Sequence, residues 1–236
     1  MEMIQNFDDF LKALLAAGFS MGGGNSDGIY SIITWGWNEE PSYETPVSWH
    51  TGDPDTDPWE WRIRVLNERD DIAYSKLFFK KSGFITKEWY PYFLAARRIG
   101  ADFEDAYADG TISHFAKRIY EVVEAHDALP VDAIKQMAGF SKEDKAGFDR
   151  ALTELQMRMF ITTCGRQPKF SKSGEEYGWP SMMFCTTEKF FNSADAVFEK
   201  AASINSEAAE QKIMRQILKL NPNAQKKRII KFIYAR

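Results

Sequence analysis

Residues 114–164 read "HFAKRIYEVVEAHDALPVDAIKQMAGFSKEDKAGFDRALTELQMRMFITTC", and a second apolar run, "SMMFCTTEKFF" (181–191), follows a polar loop. In the first fifteen residues Phe115, Ile119, Val122 and Val123 recur at helical spacing, and Leu129-Pro130 follows as a short extended link. "VDAIKQMAGF" (131–140) predicts a shorter helix that ends at Gly139. "SKEDKAGFDRALTELQMRM" (141–159) predicts a third helix, opened by Ser141 with Asp144 in the capping-box position usually held by Glu, and with Phe148, Ala151, Leu152, Leu155 and Met159 on one face. Strands at 160–164 and 181–191 around the loop at 165–179 make a hairpin. Helix, link, short helix, helix and hairpin is the order of a winged helix, with 141–159 as recognition helix and the hairpin as wing.

Upstream, Ile4, Phe7, Phe10, Leu11, Leu14 and Leu15 predict an amphipathic helix closed by Gly18. Residues 20–58 are rich in Gly, Pro, Asp, Ser and Thr, and only "IYSIITWGW" (29–37) has strand-like content. Five tryptophans between 35 and 61 argue that this irregular region is ordered. Residues 60–98 read as a helix, an aromatic strand or turn around 74–85, and a helix from near Thr86; downstream of the wing, two helices flank Asn221-Pro222. The expected fold class is therefore mainly α with small β-hairpins: a winged helix-turn-helix core at 111–191, an N-terminal helical and aromatic-rich region at 1–110, and a C-terminal helical lobe with a basic tail at 192–236.

Of 236 residues, 44% are hydrophobic and 14% aromatic, the composition of a globular chain able to bury a core. No apolar run reaches the roughly 18 residues a membrane span needs, and the first residues carry acids where a signal peptide carries lysines, so a cytoplasmic protein without membrane contact is expected. Cys164 and Cys185 are the only cysteines, with no CxxC spacing and no secretory context, so neither a disulfide framework nor a structural zinc site is expected. The net charge of −4 is unevenly spread: residues 1–110 hold 19 acids and 10 bases, residues 111–208 hold 14 and 12, and residues 209–236 hold 1 and 8. The basic tail suits an anionic partner, while the acidic front excludes a chain that simply coats DNA.

From Asp57 onward the chain resembles the winged-helix DNA glycosylases of the AlkZ/YcaQ type, in their short AlkZ-related branch. The resemblance rests on "DPWEWR" (57–62), "GFITKEWYPYFLAARR" (83–98), "KRIYEVVEAHDALPVDAIKQMAGF" (117–140), "ALTELQMRMFITTCGRQ" (151–167) and "YGWPSMMFCTTEKFF" (177–191), in that order. It implies tandem winged helices with an added β-barrel, duplex DNA as partner, and excision of damaged bases without metal or cofactor. This chain is short for the barrel. The family's Gln-x-Gln or Gln-x-Asp pair, which positions the hydrolytic water, is absent: Gln5 is followed by Asn6 and Phe7, and the next glutamine is Gln136. "FFKKSGF" (78–84) replaces the family's Trp-x-His stretch. The fold implied is thus clearer than the catalysis.

Breaking an N-glycosidic bond passes through an oxocarbenium-like state that needs an anion near the sugar and a group to hold water. "WHTGDPDTDPWEWR" (49–62) offers His50, Asp53 and Asp55 as catalytic candidates, with Asp57 and Glu60 beside them, and Trp49, Trp59 and Trp61 as a wall on which an extruded base could stack. The competing reading is structural: Asp57 as N-cap, Pro58 at the first helical position and Glu60 at the third, with the tryptophans packing. No metal site is expected, because the calcium-loop register from Asp53 meets Pro58 at its glycine position and Arg64 at its last ligand, and the three histidines are scattered. "SMGGGNSDG" (20–28) lacks the Gly-Lys-Ser/Thr of a phosphate loop and reads as a turn. For DNA, the recognition helix would present Lys142, Lys145 and Arg150, and the wing Arg166, Lys169 and Lys172. The function expected is a DNA-binding protein that recognises or excises damaged bases; the alternative is a non-catalytic winged helix that binds a protein or forms a homodimer.

Overall fold

A computed structural model describes residues 3–24, 26–171, 173–192 and 196–235. The chain folds as two compact units, Met1–Gly100 with Ala196–Arg236, and Ala101–Asp195, so the C-terminal helices belong with the N-terminal region.

The first unit begins with α1 (Phe7–Ala17), capped by the Asn6 side chain, which accepts the Asp9 amide, and closed by Gly18 at φ 87°. β1 (Phe19–Met21) follows, then the irregular region, where the strand-like 29–37 run makes only a single bridge, Ser31 to Met21. Next come α2 (Pro58–Glu68), β2 (Ile72–Phe78), β3 (Lys81–Thr86) and α3 (Tyr90–Arg98). β3 lies between β2 and β1, antiparallel to both, pairing Ile85 with Phe19 and with Ala73. Phe7, Phe10, Leu14, Trp35, Trp61 and Phe84 are in the core beneath it, where the Phe10 ring stacks on Trp61 at 5.0 Å.

The second unit holds α4 (Phe103–Ala108), α5 (His114–Glu124), β4 (Leu129–Pro130), α6 (Val131–Met137), α7 (Lys145–Met157), β5 (Ile161–Gln167), β6 (Ser181–Thr186) and the single turn α8 (Thr187–Phe190). β6 pairs antiparallel with β5 and, on its other edge, with β4. Ile119, Val123, Ile134, Phe148, Leu155 and Ile161 form the core. α7 starts four residues later than Ser141: the Ser141 amide and hydroxyl both donate to the Asp144 carboxylate, 2.8 Å each, so the box forms in its reciprocal half only.

Back in the first unit, α9 (Ala196–Ser203), α10 (Ser206–Leu220) and α11 (Lys226–Tyr234) make three helices where two were expected. Arg97 of α3 is buried and donates to the terminal carbonyls of α11, Nε to Ile233 at 2.8 Å and a terminal nitrogen to Phe232 at 3.1 Å. These are the carbonyls a helix leaves without internal partners, at the negative end of its dipole. Burial pushes the Arg97 guanidinium down to about 9, which still leaves it charged at neutral pH.

The expectation of a mainly α chain with small hairpins around a winged helix-turn-helix core is overturned: helix makes up 46% and strand 15%, and the described residues hold six strands. The physical reason is that each hairpin gains a third strand from a sequence-distant segment, β1 on one and β4 on the other, both too short to show a period of two. No helix among the described residues is long and apolar enough to cross a membrane.

Arg97→Ala would orphan two buried carbonyls and is expected to lower stability by about 2–4 kcal/mol. Urea denaturation checks this; an unchanged midpoint would show that α11 is held without Arg97.

Candidate functional site

The segment 49–62 is organised by one carboxylate. Asp57, fully buried, accepts the Trp59 amide at 2.8 Å as N-cap of α2, and also the His50 amide at 3.0 Å and the Gly52 amide at 2.9 Å. Pro58 occupies the first turn, where its missing N–H is not needed. The two extra bonds bend the chain back, leaving His50 in the left-handed region at φ 62° and Gly52 at φ 78°.

Asp53 and Asp55 are exposed and hold structural partners. Asp53 accepts the Asp55 amide at 2.9 Å and the Thr56 hydroxyl at 3.0 Å, and the first of these leads in holding its carboxyl below the ordinary range, which makes it a weaker base. Asp55 pairs with Arg64 at 3.2 Å, and Arg64 also bonds Glu68.

The tryptophans are dispersed over different environments. Trp61 is 1% exposed, within the core under the sheet. Trp49 is half-buried, donates its indole N–H to the Trp35 carbonyl at 3.1 Å, and packs so closely on Gly23 that a Cβ there would come within 2.5 Å of the ring. Gly23, at φ 123°, thus accounts for part of the glycine run as a packing contact. Trp59 is half-buried, with the Arg62 guanidinium 3.3 Å from its ring centroid and the His50 ring at 4.8 Å. Trp37, which sequence reasoning missed, lies edge-on to His50 at 6.3 Å and is 70% exposed. Its signal was local: a tryptophan between Gly36 and Asn38 in a segment without apolar periodicity. His50 is therefore exposed at the centre of three indoles, Trp37, Trp49 and Trp59, whose rings are tilted from its own by 81°, 45° and 54°.

Gln5 donates its side-chain amide to the Glu44 carbonyl at 3.0 Å and lines an open depression with Met3, Glu44, Thr45 and Pro46. Among the described residues no group of three or more His, Cys, Asp or Glu side chains gathers to hold an ion. Both cysteines are free thiols.

In the second unit Lys142, Lys145, Arg150 and Arg166 are exposed, whereas Lys169 is half-buried and pairs with Asp132 at 3.0 Å; Lys172 lies outside the described residues. Acids are interleaved with these bases: Glu143, Asp144 and Asp149 flank Lys142 and Lys145. The loop between β5 and β6 exposes Phe170, Tyr177 and Trp179.

Helices packed with antiparallel strands, joined to an ordered tryptophan-rich segment, define an α-plus-β protein with an exposed aromatic cluster. Over residues 4–234 the chain matches the model of the AlkZ-related family, and it belongs to that family. Among solved structures it is similar to the Streptomyces sahachiroi DNA glycosylase AlkZ, at 12% identity and a TM-score of 0.43, over 75% of this chain and 50% of that one. The chain thus spans about half the length of that glycosylase. No curated protein matches.

Asp57→Ala removes the acceptor of three amides and is expected to cost about 2 kcal/mol or more. Hydrogen exchange should quicken first at His50, Gly52 and Trp59; equal protection at these amides in the variant would show that the loop is held by other contacts.

Proposed function

We propose that this chain is a cytoplasmic DNA-repair protein that binds duplex DNA and recognises damaged bases. The observation that carries the reading is family membership over nearly the whole chain. The exposed bases Lys142, just before α7, Lys145 and Arg150 of α7, and Arg166 of β5 support it as groups able to neutralise phosphates. The cluster of Trp37, Trp49 and Trp59 around His50 supports it as a surface for an unstacked base. Recognition is favoured over excision by the chemistry of the loop: Asp53, Asp55 and Asp57 all serve as structural acceptors, and the family's glutamine pair is missing. Excision would be a further step drawing on Asp53, Asp55 and His50, and unchanged base release in Asp53→Asn and Asp55→Asn would remove the two carboxylates from it.

A second reading, a protein-interaction module, is favoured by the exposed Phe170, Tyr177 and Trp179 of the β5–β6 loop. One variant separates the two. Lys145→Glu with Arg166→Glu should weaken binding to alkylated and undamaged duplexes alike, by about tenfold at moderate salt, because phosphate contacts do not read the base. Unaltered affinity would refute docking through α7 and the hairpin.

A further inference from the structure

Lys219 and Lys231 sit in the last turns of their helices, where the dipole favours a cation, but several other placements of bases in the C-terminal helices work against the fold. α10 buries Ala209, Ile213 and Ile217, and α11 buries Ile229, Phe232 and Ile233. On the solvent side are Arg215 and Lys219 in α10, and Lys226, Lys227 and Lys231 in α11, all exposed. Arg215 with Lys219 and Lys227 with Lys231 are like charges four residues apart, which destabilises a helix. Lys226 and Lys227 also occupy the first turn of α11, where the dipole favours acids and none is present. The single acid in 209–236, Glu210, is taken by the Tyr234 hydroxyl at 2.6 Å. Among the described residues Lys219, Lys226, Lys227 and Lys231 make no ion pair.

Other bases of the same unit show what a structural role looks like. Arg228 pairs with Asp27 at 2.8 Å, and so does Lys81, which ties α11 to the loop before Ile29 and to the start of β3. Lys212 lies over the Tyr92 ring at 4.4 Å. With Arg97 on its terminal carbonyls, α11 is fixed from two sides while its remaining lysines stay exposed.

We infer that the solvent face of α10 and α11 is a phosphate-contacting surface for duplex DNA, in a different unit from α7 and the β5–β6 hairpin. It rests on the DNA-binding reading above and adds to it the part of the chain that supplies most of the electrostatic attraction. Lys227 and Lys231, one helical turn apart on α11, and Arg215 and Lys219, one turn apart on the packed α10, give each helix a short strip of positive charge, which complements the repeating charge of a polyanion rather than one small anion. Contacts of this kind position the duplex and carry no sequence information.

The test compares the wild-type chain with Lys219→Glu/Lys226→Glu/Lys227→Glu/Lys231→Glu on a short duplex across a salt series. The slope of log affinity against log salt should fall by about 0.9 for each lysine that meets a phosphate, and affinity at low salt should drop by about tenfold or more. Acids at Lys226 and Lys227 favour the first turn of α11 while acids at Lys219 and Lys231 oppose the last turns of α10 and α11, so the melting temperature should change little, and a melting curve on the same sample separates weaker binding from unfolding. If the wild type binds and the variant has the same affinity and slope, this surface is refuted while the DNA-binding reading stands. A wild type that ignores duplex DNA overturns both, and capture by phosphatidylserine vesicles through the same lysines would then mark the strip as a lipid-facing surface.

Discussion

One buried carboxylate holds the irregular N-terminal segment in place. Asp57 answers three backbone N–H groups that would otherwise be unsatisfied: one at the start of α2, and two in the preceding turn. Because it bonds forward to the helix and backward to His50 and Gly52, it fixes the position from which the His50 ring meets three indoles. Helix capping and the placement of His50 among the indoles are thus consequences of the same interaction. Its neighbours divide the remaining work, Asp53 closing the turn and Asp55 anchoring Arg64.

Charge is distributed by a different logic. In the core of the first unit the desolvated Arg97 is retained because the carbonyl end of α11 offers it acceptors and a negative dipole. At the surface of α10 and α11, Lys219, Lys226, Lys227 and Lys231 make no ion pair among the described residues, and only Lys219 and Lys231, in the last turns, gain from a helix dipole. Natural helices accept such placements where activity demands them, at a cost in stability. The middle of the chain, where acids and bases alternate around α7, is closer to neutral, and the long-range attraction of a polyanion would therefore come mainly from the C-terminal helices.

Much of the element order was legible. Apolar periodicity placed α1, α5, α6 and α7, and the Asp-Pro pair placed the start of α2 to the residue. What escaped was pairing at a distance: β1 and β4 are strands because β3 and β6 offer them edges, and nothing within three or two residues can announce that. The 29–37 run failed for the converse reason, since its β-branched residues pack as an irregular segment in the core. Trp49, Trp59 and Trp61 were visible as candidates, but spacing could not tell that Trp61 is buried among Phe7 and Phe10, or that Trp37 is exposed beside His50. The family resemblance was legible because its motifs run in order along most of the chain, whereas the loss of the glutamine pair left no comparable signal for catalysis.

The central claim is that this member of the AlkZ-related family binds duplex DNA and distinguishes damaged from undamaged bases. Competition between an alkylated and an unmodified duplex of the same sequence, at fixed moderate salt, tests it most directly. The account predicts binding of both, with preference for the alkylated duplex. Equal affinity would contradict damage recognition, and no binding to either, even at low salt, would contradict the role in DNA altogether.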